Sequence, residues 1–171
     1  KLQMEEKLKK EYFIDQEILE ERQKELLDLH IHGAPEEIMD WIKDAINNYV
    51  LEKFVSVISI SGTAAEFILE DVINQTSLSK SQKDKIKEPY HRDRLLICKF
   101  SGIIDEQEYG WFENIRSKRN KYVHPKIWME GTTPEEIESV RLNVKSEAKG
   151  NAKVVIRDLI LLANKIYSSN N

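Results

Sequence analysis

Apolar residues recur at three-to-four spacing from Ile38 to Val72 almost without interruption, through Trp41, Ile42, Ala45, Tyr49, Val50, Phe54, Val57, Ile58, Ala65 and Ile68. That period belongs to an α-helix, and a pleated strand would send much of the set to solvent. The segment therefore predicts helix packed on helix, as one long helix or as two. The β-branched run from Val55 to Ile60 resembles a strand, but a lone short strand between helical patterns has nothing to pair with, so it is read as helical. Ser56, Ser59, Ser61, Gly62, Ala64 and Ala65 make one section thin enough for close helix approach, with Gly62 either a cost in propensity or a bend.

The rest of the chain has the same character. With 40% hydrophobic and 33% charged residues but only 6 Gly and 4 Pro in 171 residues, the composition favours long amphipathic helices around one core. Residues 2–31 alternate Glu and Lys around Leu8, Tyr12, Ile18, Leu26 and Leu29, predicting a long N-terminal helix stopped at Gly33 and Pro35. Pro35-Glu36-Glu37 is a helix start. Residues 75–89 read as an exposed connection with at most a helical turn. A helix follows from Tyr90 or His91 to Phe100, another starts near Asp105 and ends at Pro125, and a last one starts at Pro134 behind a threonine cap. Gly150-Asn151 is a candidate interruption of that last helix, and the apolar segment from Val154 to Tyr167 is expected in the core. The fold class expected is all-α, a single bundle of about five helices over residues 1–171, with residues 1–33 as a peripheral helix.

A net charge of -4 excludes a protein that coats nucleic acid with its whole surface, so any such contact must be local. Cys98 lies in an apolar run and reads as a small buried hydrophobe, and as the single cysteine it permits no disulfide within the chain. No run of residues approaches a membrane span and no signal-peptide pattern opens the sequence, so an intracellular, cytoplasmic protein without membrane contact is expected. His30-Ile31-His32 lacks accompanying ligands, and no metal or cofactor is expected. His91-Arg92-Asp93-Arg94 reads as a charged helix start engaged in surface ion pairs. Glu66, among small residues on a core helix, is a candidate for a polar network or for the functional site. Phosphate-binding glycine loops and serine nucleophile motifs are absent.

Chemistry concentrates in Arg116-Ser117-Lys118-Arg119-Asn120-Lys121-Tyr122-Val123-His124-Pro125, directly after an amphipathic helix bearing Trp111 and Phe112. Four cations, an amide, a phenol and an imidazole there meet a proline that cannot continue the helix. Two readings are open: the cations complement the negative end of the helix dipole with His124 as cap, or they hold phosphate. Tyr122 and Trp128 could stack on bases, though packing is the expected use of both.

The run Arg119-Asn120-Lys121-Tyr122-Val123-His124-Pro125, on a helix led by aromatics and followed by another apolar helix, resembles the HEPN superfamily of small helical-bundle domains. The resemblance implies a metal-independent endoribonuclease of toxin or antiviral-defence type, with Arg119, Asn120 and His124 catalytic at a homodimer interface. It further implies RNA as substrate, an antitoxin or regulatory protein as a possible partner, and Arg116, Lys118, Lys121 and Lys126 as the cationic patch. A related branch carries a modifiable tyrosine two residues past the histidine, where this chain has Lys126.

The residue types suit that reaction. Cleaving RNA without a metal needs a base for the 2'-hydroxyl proton, an acid for the leaving 5'-oxygen and a cation for the phosphorane charge. Histidine titrates near neutrality, and arginine presents a planar fork to phosphate oxygens. Positions five apart on a regular helix lie roughly 140° apart around the axis, so Arg119 and His124 would not converge within one helix. Pro125 turns His124 off the helical track, and a twofold dimer would bring Arg119 of one chain to His124 of the other. Two alternatives use the same features: a non-catalytic RNA-binding or sensing module, and a helical protein-interaction module.

Overall fold

The computed structural model describes residues 33–123 and 133–168. These form six helices: α1 (Glu36–Val50), α2 (Phe54–Gln75), α3 (Lys80–Lys87), α4 (His91–Phe100), α5 (Glu106–Val123) and α6 (Pro134–Ser168). No strand occurs among the described residues, so the all-α expectation holds, including across Val55 to Ile60. The expected N-terminal helix lies outside the described residues, and the longest described helix is instead the last, with 35 residues.

The apolar run from Ile38 to Val72 divides into two helices. Leu51 closes α1, and Glu52 adopts a left-handed φ of 59°, which reverses the chain within three residues. Trp41 of α1 then stacks on Phe67 of α2, with ring centroids 5.8 Å apart.

Helix α2 is the centre of the bundle, flanked by α1, α5 and α6. Its buried set of Val57, Ile58, Ser61, Gly62, Ala64, Ala65, Ile68, Leu69 and Ile73 covers more than one face because three helices surround it. Of the small residues expected to thin this section, Ser61, Gly62, Ala64 and Ala65 are buried, while Ser56 is exposed and Ser59 half-buried. Helix α6 lays Ala148, Ala152, Val155, Ile156, Leu159, Ile160 and Ala163 against the same core, so the expected core tail is found. It passes through Gly150 and Asn151 without interruption, correcting the break considered there. One glycine costs about 1 kcal/mol in a helix, little against the tertiary packing on either side of it.

Three local signals set the remaining starts. Asp105 accepts from the Glu108 backbone at 2.9 Å while Glu108 accepts from the Asp105 backbone at 2.7 Å, a capping box opening α5. Thr133 and Glu136 make the same reciprocal pair before α6, at 3.1 and 3.2 Å. Ser79 and Gln82 do so before α3. The connection expected to hold at most one turn thus contains a helix of eight residues, anchored by Ile86.

Candidate functional site

Helix α5 buries Phe112, Ile115 and Tyr122. Arg119 falls into this same sequence of spacings, three, four and three apart, and so projects toward the bundle rather than away from it. It reaches α2 at Gly62. A Cβ built on Gly62 would lie 2.2 Å from Arg119 Cδ and 3.0 Å from its Cγ, so the arginine side chain occupies the space that any larger residue would fill. Gly62 does more than thin the helix. It is a slot for Arg119.

Beyond the slot, Arg119 Nη1 donates to Glu66 Oε1 at 2.8 Å, one turn along α2. His91, the first residue of α4, places Nδ1 3.1 Å from the same oxygen. One carboxylate oxygen therefore joins three helices. The side chains keep 30% (Arg119), 37% (Glu66) and 19% (His91) of their exposure, so the cluster is neither sealed in the core nor free in water. The bond from His91 leads the causes that hold the Glu66 carboxyl below its ordinary value, partial burial opposes it, and Arg119, the charge of His91 and Arg94 add to it. Ionised Glu66 can only accept, so Nδ1 of His91 carries the proton in this contact and Nε2 holds the lone pair when the ring is neutral. Among the described residues, His91 Nε2 and Arg119 Nε are both buried without a hydrogen-bond partner.

The expectation of surface ion pairing for His91 to Arg94 needs correction at two positions. His91 turns inward to Glu66, and Arg94 donates to the Lys87 carbonyl at 2.5 Å, satisfying the C-terminal end of α3. Arg92 and Asp93 remain exposed.

The other expected site residues divide among several settings. Arg116 forms a two-bond pair with Glu113, at 2.7 and 2.5 Å, which lowers the Glu113 carboxyl and raises the guanidinium. Lys121 pairs with Glu147 of α6. Lys118 and Asn120 are partly exposed on α5. His124, Pro125, Lys126 and Trp128 lie outside the described residues, as do His30 and His32. Tyr122 is 1% exposed and its hydroxyl accepts from Asn151 Nδ2 at 2.6 Å, so it packs as expected and is not a stacking surface. Asn114 ties α5 to Asp158 of α6 at 2.5 Å, and burial raises the Asp158 carboxyl. These contacts hold the C-terminal half of α5 between α2 and α6, with Arg119 and Asn120 in its last turn and a half.

The Arg119 placement carries local costs as well as gains. A partly exposed ion pair contributes about 0–1 kcal/mol. A glycine inside a helix costs about 1 kcal/mol relative to alanine, and a buried unpartnered donor about 1–3 kcal/mol.

The fold and this cluster define a helical bundle with an inward-held arginine on a cationic helix end. Comparison with protein-family models, with curated proteins and with solved structures finds no match.

Proposed function

We propose that this chain is a metal-independent endoribonuclease of toxin or antiviral-defence type, acting as a homodimer with Arg119, Asn120 and His124 at a composite site. The observation that carries the reading is the slot at Gly62. An arginine that only complemented a helix dipole would extend from the C-terminal turn toward solvent, where carbonyl groups and water supply its partners. Arg119 instead threads between helices and is fixed in direction.

In this reading His124 of one chain removes the 2'-hydroxyl proton and the oxygen attacks the adjacent phosphorus. The guanidinium of the other chain's Arg119 carries the charge that develops on the phosphorane oxygens, and the imidazolium so formed protonates the leaving 5'-oxygen. Asn120 orients the phosphate or the imidazole. Lys118, with Arg116, Lys121 and Lys126, holds the flanking phosphates. An antitoxin or regulatory protein covering this end of the bundle is the partner that such an activity calls for.

The test is cleavage of RNA in EDTA by wild-type protein and by Arg119→Lys. Lysine keeps the charge and loses the planar fork, so cleavage is expected to fall by about 100-fold while RNA affinity changes little. RNA bound but left intact by the wild-type protein under all conditions would instead establish the non-catalytic, RNA-sensing alternative.

A further inference from the structure

We propose that Glu66 is the positioning residue that aims Arg119 at the scissile phosphate, with His91 bracing Glu66 from its other side, an inference that rests on the ribonuclease reading above. None of these helpers belongs to the cationic segment of α5. Glu66 and the glycine slot are one turn apart on α2, and His91 opens α4.

The geometry assigns the roles. The aliphatic part of Arg119 is confined at Gly62, which fixes where the side chain leaves α5 but not the rotation of its planar end. The 2.8 Å bond to Glu66 Oε1 sets that rotation by holding Nη1. Nε is buried with no acceptor among the described residues, so a phosphate would have to approach the guanidinium from the Nη side. Glu66 would itself swing on its long side chain if Arg119 were its only partner. His91 Nδ1, 3.1 Å from the same oxygen, removes that freedom. His91 starts α4, whose Leu95 and Cys98 are fully buried, so the brace stands on a packed element. The carboxylates that interact with the imidazole are Glu66 from α2 and Glu113 from α5; Arg119 and Arg94 act in turn on Glu66, and Arg116 and Arg92 on Glu113. Glu66 is thus the acceptor on which guanidinium and imidazole converge, and a neutral isostere there keeps the shape while weakening the hold on both.

The experiment compares wild type, Glu66→Gln, His91→Gln and Arg119→Ala in two readouts. Single-turnover cleavage across RNA concentration separates binding from chemistry. Nitrogen-15 spectra of the arginine side chains, recorded on free protein, report whether the Arg119 guanidinium rotates. Glu66→Gln is expected to lower the maximal rate by about 10- to 100-fold with half-saturation changed less than about twofold, since a displaced group costs rate before affinity. His91→Gln is expected to shift both readouts in the same direction by less. In the spectra the restricted Arg119 signal of wild type should average in Glu66→Gln. Wild-type rates in Glu66→Gln while Arg119→Ala is inactive would overturn the positioning role and leave the ribonuclease reading standing. Equal activity in wild type and Arg119→Ala would remove the ribonuclease reading and with it the aim at phosphate. An unchanged Arg119 signal in Glu66→Gln would refute the clamp itself, whatever the activity.

Discussion

At the scale of single residues, the two most informative glycines make opposite forecasts. Gly62→Ala puts a methyl group 2.2 Å from Arg119 Cδ, so the arginine must leave its slot and with it the Glu66 bond. The variant should retain helical circular dichroism, because alanine favours the helix, while cleavage falls with that of Arg119→Ala. Gly150→Ala in α6 meets nothing within 4 Å and removes backbone freedom from the unfolded chain. It should raise stability by about 0.5–1 kcal/mol, or about 2–4 °C in a thermal melt. Glu66 carries a pH signature. Its carboxyl titrates below the ordinary value of 4.5 when folded, so its stabilising contribution is present above that value and is lost as pH falls through the folded one. Urea titrations from pH 7 to 3 should show wild type and Glu66→Gln converging only below pH 4.5. Of this cluster the sequence singled out Arg119 as a candidate through its motif. Glu66 stood out only as a carboxylate among small residues. His91 was misread because its partner lies 25 residues earlier on another helix, and no local spacing reveals such a meeting.

At the scale of elements, the starts of α5 and α6 and the end of α4 at Phe100 were legible, while the start of α3 and the break after α1 were not. Asp105 and Thr133 announce α5 and α6 by capping chemistry that is local in sequence. The same reciprocal pattern at Ser79 and Gln82 precedes α3, but Lys80–Lys87 has almost no apolar periodicity and so read as a loop. The break after α1 uses Leu51-Glu52-Lys53, with neither glycine nor proline to mark it. There Glu52 takes the left-handed conformation that usually calls for glycine. Glu52→Gly is accordingly expected to stabilise the turn or leave stability unchanged, where most surface Glu→Gly changes next to helices reduce it. A thermal melt decides between these outcomes.

At the scale of the whole molecule, the described helices surround a single core cluster drawn from α1 through α6, and no helix among the described residues is long and apolar enough to cross a membrane. The Arg119 cluster sits where α2, α4 and α5 meet, and α6 backs the end of α5. Arg119 reaches α2 at Gly62 and Glu66, whereas Arg116 pairs with Glu113 of its own helix and Lys121 with Glu147 of α6. For a composite site, mixing inactive Arg119→Ala and His124→Ala chains should restore about a quarter of wild-type activity, since about half of the dimers are mixed and each holds one intact Arg119–His124 pair. Neither variant alone should show it. The central claim is that an arginine held in this way performs chemistry on RNA, and cleavage of an RNA oligonucleotide in EDTA by wild type beside Arg119→Ala tests it most directly. Wild type should cut and the variant should be slower by at least about 100-fold with its fold intact. Uncut RNA with wild type, or equal cutting by both, would contradict it.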